Sequence, residues 1–309
     1  MHLKATLLIT MIVLAGCDQT SPGPVESTKA ETFVPFAFLT TPNDPTLPLC
    51  AEAESPDTAP DTTFISCPLE GESFVDPVIP NELPEKLTVV AYNLERGFKL
   101  EEQLALLSGD GPMPAPDILL VSEVDRGCGR TAQRNVARDL AEGLGMNYIF
   151  AVEFVELAVQ EDGSHVSECE HGNAILSKFP LGNAELIRHE DQVSWFNADE
   201  SRLGGRVAVK ADAKIGSTLV QLYSVHFESA ISEDPRQYQA KEIAHHGLSD
   251  SGLSIVGGDF NSGYLSLELE NGGQWDLTVE QFTDRGYIDA HASLDLQERI
   301  TAPERGFIL

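Results

Sequence analysis

The sequence predicts an α/β domain with a large, partly antiparallel sheet system after residue 84. Two observations support this fold class: apolar segments of strand length alternate with amphipathic helical segments, and the strands outnumber the helices. The chain has 309 residues, of which 42% are hydrophobic and 22% are charged. This length and composition fit one sizeable domain with additional segments.

The first half of the predicted domain alternates strands and helices. A strand in KLTVVAYNLERG ends at Asn93, a helix spans Leu100–Ser108, and a strand in PDILLVSEVDRG ends at Glu123. The amphipathic segment TAQRNVARDLAEGLGM predicts a second helix with Gly145 just past it, and NYIFAVEFVEL predicts another strand.

The second half contains mostly strands. They are predicted in NAILSKFPL, GGRVAVKADA and TLVQLYSVHFE, followed by a helix over about 235–248 and a strand in SIVGGDFN. Polar residues stand at four strand ends: Asn93, Glu123, His226, and Asp259 with Asn261. Open α/β sheets place ligand-binding groups there, so these side chains are predicted to converge on one rim. Taken alone, each is more often a turn former (Asn93, Asn261), a surface carboxylate (Glu123) or a buried histidine with satisfied hydrogen bonds (His226).

The N-terminal segment is typical of an export signal. MHLKATLLITMIVLAGC has an early Lys4, an apolar stretch too short to span a bilayer, and small residues before Cys17. LAGC resembles the lipobox of bacterial lipoproteins, which implies a signal peptide over residues 1–16 and lipidation of Cys17. A secreted protein with a nearby cleavage site is the alternative. We expect a lipid-anchored protein of the bacterial cell envelope, outside the cytoplasm, in the periplasm or on the cell surface.

Residues 17–84 are predicted to form a lipid-anchored, Pro-rich linker, which leaves residues 85–309 as the folded domain. Four cysteines follow Cys17, and their even number in an exported protein suggests two disulfides, for which three pairings exist. We favour Cys50 with Cys67 and Cys128 with Cys169. The cysteine spacings do not resemble a zinc cluster.

The net charge of −29 repels polyanions and disfavours tight, sequence-independent binding of nucleic acid, although it does not exclude a local binding patch.

Five segments resemble, in order, the endonuclease/exonuclease/phosphatase superfamily: VVAYNLERG, PDILLVSEVDRG, HGNAILSKFPL, YSVHFES and VGGDFNSG. The resemblance covers about residues 86–291. It implies a four-layer α/β/β/α sandwich of two packed mixed sheets and hydrolysis of a phosphodiester or phosphomonoester. The implied cofactor is Mg²⁺, with Mn²⁺ as an alternative, and we expect a monomer.

The resemblance also implies roles for the residues at the strand ends. Glu123 would bind the metal, with Asn93 as a ligand or beside it. Asp259 would position or deprotonate the attacking water, and Asn261 would hold that water or a phosphoryl oxygen. His226 would hydrogen-bond the phosphoryl group or assist the leaving oxygen.

Four further residues are implied to support this site. Glu170 is expected to orient His226, Arg206 to clamp a phosphate, and Asn173 to line the substrate cleft. Asp289, in DRGYIDAHASLD, matches the carboxylate that partners a final histidine in the family.

Family members continue through a further strand to a Ser-Asp-His tripeptide, which does not occur before Leu309. We therefore expect the last strand to be missing and the domain to be C-terminally incomplete, either as a fragment or frameshifted product or as an impaired member. The alternative function is that of a ligand-binding lipoprotein. The substrate stays open among a phosphorylated small molecule, a phospholipid head group and nucleic acid.

Overall fold

The protein is described by a computed structural model, which places residues 13–15, 32–37, 44–45, 47–50, 65–75, 82–111, 113–229, 234–247, 253–262 and 276–294. The strands of these residues are β1 (Val13–Ala15), β2 (Glu70–Ser73), β3 (Val89–Arg96), β4 (Ile118–Arg126), β5 (Asn147–Val159), β6 (His165–Ser177), β7 (Leu181–Arg188), β8 (Arg202–Gly204), β9 (Val207–Ile215), β10 (Thr218–His226), β11 (Leu253–Asp259) and β12 (Tyr287–Asp289). The α-helices are α1 (Leu100–Leu107), α2 (Val136–Leu144), α3 (Asp234–His246) and α4 (Glu280–Thr283).

The strands form two sheets. The first sheet has the order β2-β5-β6-β4-β3, with β8 paired to β5, and the second has the order β12-β1-β11-β10-β9-β7. Each sheet contains one parallel pair, β3 with β4 in the first and β10 with β11 in the second, among antiparallel neighbours. Both sheets are therefore mixed, as the resemblance implies.

Three apolar layers show that the sheets pack face to face between helices. The core between the sheets joins residues such as Leu120 and Ile149 of the first sheet to Val209 and Leu222 of the second. A second core lies between the first sheet and α1 and α2, and a third lies between the second sheet and α3 and α4. Each fully buried Leu or Ile of such a core stabilises the fold by about 1.5–3 kcal/mol. The four-layer α/β/β/α sandwich is confirmed.

The second predicted helix is shorter than its amphipathic pattern indicates. α2 begins after Asn135, whose side chain caps it by accepting a hydrogen bond from the Arg138 N–H. The preceding Ala132 and Gln133 have positive φ angles of 56° and 57°, which a helix does not allow. Gly145, with a φ of 61°, ends the helix as predicted.

The predicted strand NAILSKFPL is divided between the two sheets. β6 ends at Ser177 in the first sheet, and β7 begins at Leu181 in the second. Pro180 lies in the connection, where its lack of an N–H costs no ladder hydrogen bond.

Parts of the predicted linker belong to the domain. β2 pairs with β5, and the Phe36 N–H donates to Leu181 O. Leu49 and Ile65 are buried in the core under α1 and α2. The apolar residues of this segment therefore gain burial by packing on the sheets, and the domain extends N-terminally of residue 85.

Both favoured disulfides are confirmed. Cys50 is bonded to Cys67 with an S–S distance of 2.09 Å, and Cys128 to Cys169 with a distance of 2.00 Å.

β1 lies between β11 and β12 and is antiparallel to both, although its residues belong to the predicted signal peptide. The described second sheet is thus continuous from β12 to β7. Among the described residues, none of the helices is both long enough and apolar enough to cross a membrane.

Candidate active site

Two neighbouring strands bulge where they carry predicted site residues. The register between β3 and β4 shifts between Asn93 and Arg96, and the register between β4 and β6 shifts between Val121 and Val124. Glu123, within the second shift, has a φ of 53°. Bulges redirect side chains, and positive φ at a residue with a side chain is a strain that is frequent at functional sites.

The redirected side chains meet those of the second sheet. Asn93 Nδ2 donates to Glu123 Oε1 at 2.9 Å and to Asp259 Oδ2 at 2.8 Å. Glu123, His226 and Asp259 each offer one metal-binding atom, and these atoms lie within 4.8 Å of one another. Side chains from β3, β4, β10 and β11 therefore converge on one rim, as the strand-end pattern predicts.

Glycine is required beside Asp259. Gly258 has a φ of 143°, and a Cβ there would lie 1.9 Å from Val225 O on the parallel strand β10. This close approach sets His226 in register with Asp259. A larger residue at position 258 would force the two strands apart at the site.

Asn261 closes the turn that follows Asp259. Its N–H donates to Asp259 Oδ1 at 2.9 Å, and its Nδ2 donates to Phe227 O at 2.9 Å. Its φ is 48°, a conformation that Asn tolerates better than most residues. The Asp-Phe-Asn segment is therefore a turn that also fixes the Asp259 carboxylate.

A buried ion pair holds His226 from behind. Glu153 Oε2 lies 3.2 Å from His226 Nδ1, and Arg206 Nη1 lies 2.8 Å from the same nitrogen. Arg206 Nη1 also donates to Glu153 Oε1 at 2.6 Å. On the other side, His226 Nε2 lies 3.9 Å from Glu123 Oε1. Arg206 Nη1 also lies 3.0 Å from Nε2, so the arginine contacts both ring nitrogens, and Nε2 is the nitrogen that also faces Glu123.

The prediction that Arg206 clamps a phosphate is wrong. The residue is 3% exposed, and its guanidinium lies 5.4 Å from the ring centroids of both Phe154 and Trp195. Its Nη2 donates to Ser229 Oγ at 3.0 Å. Because Arg206 Nη1 is bonded to Glu153 and His226, the arginine supports the histidine and does not offer two parallel N–H groups to a phosphate.

The predicted pairing of Glu170 with His226 is also wrong. Glu170 Oε1 accepts the N–H groups of Leu49 and Cys50 at 2.6 and 2.8 Å, and its Oε2 accepts from Arg126 at 2.9 Å. Glu170 thus fastens the segment before β2 to the domain. Burial, the largest influence, raises the pKa of Glu170, although the Cys50 N–H and Arg126 oppose this.

The remaining predicted residues lie apart from the rim cluster or outside the described residues. Asn173, predicted to line the cleft, is fully buried, and its Nδ2 donates to Val207 O of the second sheet at 3.0 Å. It therefore joins the sheets and does not meet a substrate. Asp289 is in register, across β1, with Val256, three residues before Asp259. Cys17 lies outside the described residues.

Sequence reasoning missed Glu153. It stands on β5 within AVEFV and is completely buried. A carboxylate inside an apolar strand is rarely buried without a partner, and this pattern could have identified it.

Glu123 and Glu153 are stabilised in their ionised form. Burial raises the pKa of both Glu123 and Glu153, but the positive charge of His226 opposes it most strongly in each case. Arg206 adds to this effect, as does the hydrogen bond from Asn93 to Glu123, and the resulting pKa of each carboxyl is below its usual value.

The donor set fits a cation that prefers oxygen ligands. Two carboxylates, Glu123 and Asp259, lie side by side with a single amide between them, and the Glu123 side chain is 26% exposed. Asn93 turns its NH₂ group toward both carboxylates, and its Oδ1 accepts from the Glu95 N–H. Of the two roles predicted for Asn93, this pattern favours a place beside the ligands over direct coordination.

Comparison with known proteins gives the same family as the sequence motifs. A model of the Endonuclease/Exonuclease/phosphatase family matches residues 91–289. No match is found among curated proteins.

Many solved structures resemble the chain, among them three proteins of this family. An endonuclease/exonuclease/phosphatase from Beutenbergia cavernae DSM 12333 has 16% identity and a TM-score of 0.47, over 64% of this chain and 53% of its own. A family protein from Leptotrichia buccalis C-1013-b has 12% identity and a TM-score of 0.41, over 65% and 75%. A family protein from Bacteroides thetaiotaomicron has 16% identity and a TM-score of 0.43, over 66% and 70%. The chain thus spans about half the length of the Beutenbergia structure.

The family match covers more than half of the chain and includes Asn93, Glu123, His226 and Asp259. The chain therefore belongs to the endonuclease/exonuclease/phosphatase family, a family of hydrolases that includes nucleases and phosphatases.

Proposed function

We propose that the protein hydrolyses a phosphoester by attack of water, with Mg²⁺ as its cofactor. The observation that carries this proposal is the convergence of Glu123, His226 and Asp259, whose metal-binding atoms lie within 4.8 Å of one another. Carboxylate oxygens gathered at this distance are the ligands that Mg²⁺ prefers, and the one amide of Asn93 is shared between both carboxylates.

Glu123 and Asp259 would hold the metal, with Asn93 fixing both carboxylates. Mg²⁺ binds through one or two carboxylates and keeps several waters, and Mn²⁺ accepts the same oxygen ligands. When bound, the ion would neutralise charge on the phosphoryl oxygens.

The protein's own groups would orient the reactants. Asp259, fixed by the Asn261 N–H and by Asn93, would accept a proton from the attacking water. His226, oriented by Glu153 at Nδ1 and contacted by Arg206 at both ring nitrogens, would hydrogen-bond a phosphoryl oxygen. These groups stand on strands and are held by buried partners, so they need little rearrangement to act.

The test is hydrolysis of bis-p-nitrophenyl phosphate with Mg²⁺ or Mn²⁺. Asp259→Ala should lower kcat by about 10²- to 10⁴-fold, the usual range for loss of an acid–base group. Asp284→Ala, which removes an exposed carboxylate after α4, serves as the matched control. Chelation by EDTA should abolish the activity, and added Mg²⁺ should restore it. Equal rates for the wild type and Asp259→Ala would contradict the proposal and favour the ligand-binding alternative.

For the substrate class, the net charge of −29 favours a small phosphoester or a head group over long nucleic acid. Rates on plasmid DNA, on bis-p-nitrophenyl phosphate and on phospholipid vesicles, compared in one buffer, would separate these classes. Cleavage of plasmid DNA as efficient as that of the small ester would contradict the order expected from charge.

We also propose that the protein is anchored by lipid at Cys17 on the outer side of a bacterial membrane. The two disulfides support an oxidising compartment. Cys17→Ser should move the protein from the membrane fraction to the soluble fraction. Unchanged partitioning of this variant would overturn the anchor.

A further inference from the structure

A second histidine, His171 on β6, lies close to the rim cluster and has no part in the function proposed above. It is 2% exposed, and its Nδ1 lies 2.8 Å from Asp125 Oδ1. In the sheet it is in register with Asp125 on β4 and with Phe154 on β5. It thus stands between the bulge of β4 that carries Glu123 and the bulge of β5 that carries Glu153.

The side of β6 that carries His171 faces the second sheet. Asn173, two residues along the strand, donates to Val207 O of the second sheet. Residues two apart on a strand share a face. Between residues 170 and 174, β6 has no bulge of its own, because the extra residue in its pairing with β4 belongs to β4. His171 therefore lies on the face between the sheets, one step nearer the rim than Asn173.

The orientation of His171 is fixed by a carboxylate that is itself held in place. Asp125 has a side chain that is 0% exposed, and Arg130 binds it through Nε at 2.7 Å and Nη2 at 2.8 Å. A carboxylate at Nδ1 orients the ring and favours the tautomer that donates to it. Nε2 is then the ring nitrogen that can contact a substrate.

We propose that His171 is a catalytic residue that donates a proton from Nε2 to the leaving oxygen of the phosphoester. The step rests on the proposed function. Water attacks phosphorus and gives a proton to Asp259, the bond between phosphorus and the leaving oxygen breaks, and that oxygen takes the proton of His171. One proton enters the protein and one leaves it, and exchange with solvent restores both groups. Asp125 is the positioning residue for this donor.

The test compares a good and a poor leaving group: methyl p-nitrophenyl phosphate and methyl phenyl phosphate. A leaving oxygen of low basicity departs without a proton, whereas phenoxide needs one. His171→Asn retains an amide N–H for Asp125 and removes Nε2. It should lower kcat/KM by about 100-fold or more for the phenyl ester and by less than about 10-fold for the p-nitrophenyl ester.

Three further variants make the result specific. Asp259→Ala should slow both esters to the same extent, because the attack on phosphorus is common to them. His171→Gln, which places an N–H near the position of Nε2, should recover part of the phenyl ester rate. His245→Asn, at an exposed histidine of α3, should leave both rates unchanged. Thermal unfolding of each variant identifies any loss that comes from misfolding.

Equal losses on the two esters in a folded His171→Asn variant would overturn the proton-donor role while leaving the proposed function standing. Absence of metal-dependent hydrolysis of either ester by the wild type would overturn both.

Discussion

Two buried networks of arginine and glutamate are built around neighbouring strands of the first sheet, one at Glu153 of β5 and the other at Glu170 of β6, and they have different roles. The site network consists of Glu153, Arg206 and His226 and faces the second sheet. The linker network consists of Glu70, Arg126 and Glu170, with the N–H groups of Leu49 and Cys50, and lies on the opposite side. Both bury a carboxylate against a guanidinium, so burial and charge alone do not distinguish a catalytic support from a structural one.

The difference lies in the face of the strand. Glu170 precedes His171 on β6, so the two side chains point to opposite faces. Glu153, on the bulge of β5, points to the same face as His171 and reaches His226. A carboxylate one position away on a strand is on the wrong side of the sheet, however well its sequence context fits.

The largest effect that separates the networks is expected for Glu153→Gln. It removes the carboxylate that contacts both Arg206 and His226, while Glu228 stays 3.8 Å from Arg206 and Glu123 stays 3.9 Å from His226. Breaking a buried pair typically costs about 3–5 kcal/mol. Loss of a group that orients a site histidine commonly lowers activity by about 10- to 100-fold. Urea unfolding measures the first effect, and kcat on bis-p-nitrophenyl phosphate, measured on folded protein, measures the second. A folded variant with full activity would show that Glu153 is only structural.

Both disulfides border the linker network, so their removal tests the stability of that network separately from the site network. Cys50 donates its N–H to Glu170, and Cys128 is bonded to Cys169, the neighbour of Glu170. From sequence separations of 17 and 41 residues, loss of Cys50–Cys67 should cost about 3 kcal/mol and loss of Cys128–Cys169 about 4 kcal/mol. Denaturant unfolding of the paired Cys→Ser variants measures both values. The activity of the folded fraction should not change. A lower activity would show that the linker network also affects the active site.

The smallest effect is expected for Glu170→Gln. Arg126 keeps Glu70 as a partner, and burial raises the pKa of Glu170, so a neutral amide is tolerated better here than at Glu153. We expect a loss of about 1–3 kcal/mol, as for a weakened buried hydrogen-bonded group, with kcat unchanged. The same urea titration and esterase assay apply. A fall in kcat as large as that of Glu153→Gln would show that Glu170 contributes to the active site.

The sequence was sufficient for the fold class and for the rim, but not for the residues behind it. Apolar runs identify strands, and strand ends identify Asn93, Glu123, His226 and Asp259, because these features are local. The partners of His226 depend on bulges and on which face a residue occupies, and one shift of register exchanges the faces. Arg206 and Glu170 were therefore assigned to the correct region with the wrong contacts.

The limits of the domain depend on packing in the same way. The Pro-rich composition of residues 17–84 indicates an extended chain, but Leu49 and Ile65 find apolar partners that only the folded sheets provide. Likewise, the amphipathic pattern before α2 begins earlier than the helix, because the cap at Asn135 and not the periodicity sets the start.

The bulge in β4 makes the site depend on the number of residues in the strand as well as on their identity. Val121 and Val124 are both paired with β6, and the extra backbone between them places Glu123 on the side of the second sheet. Deleting Ser122 would leave every proposed ligand in the chain, yet it would remove the bulge, because a single residue, Glu123, would then stand opposite Asn173 between the two paired valines. Glu123 would lose the backbone conformation that directs its carboxylate. Single-residue deletions in this short segment should therefore be far less tolerated than conservative substitutions, a pattern that a deletion scan would reveal and an alanine scan would miss.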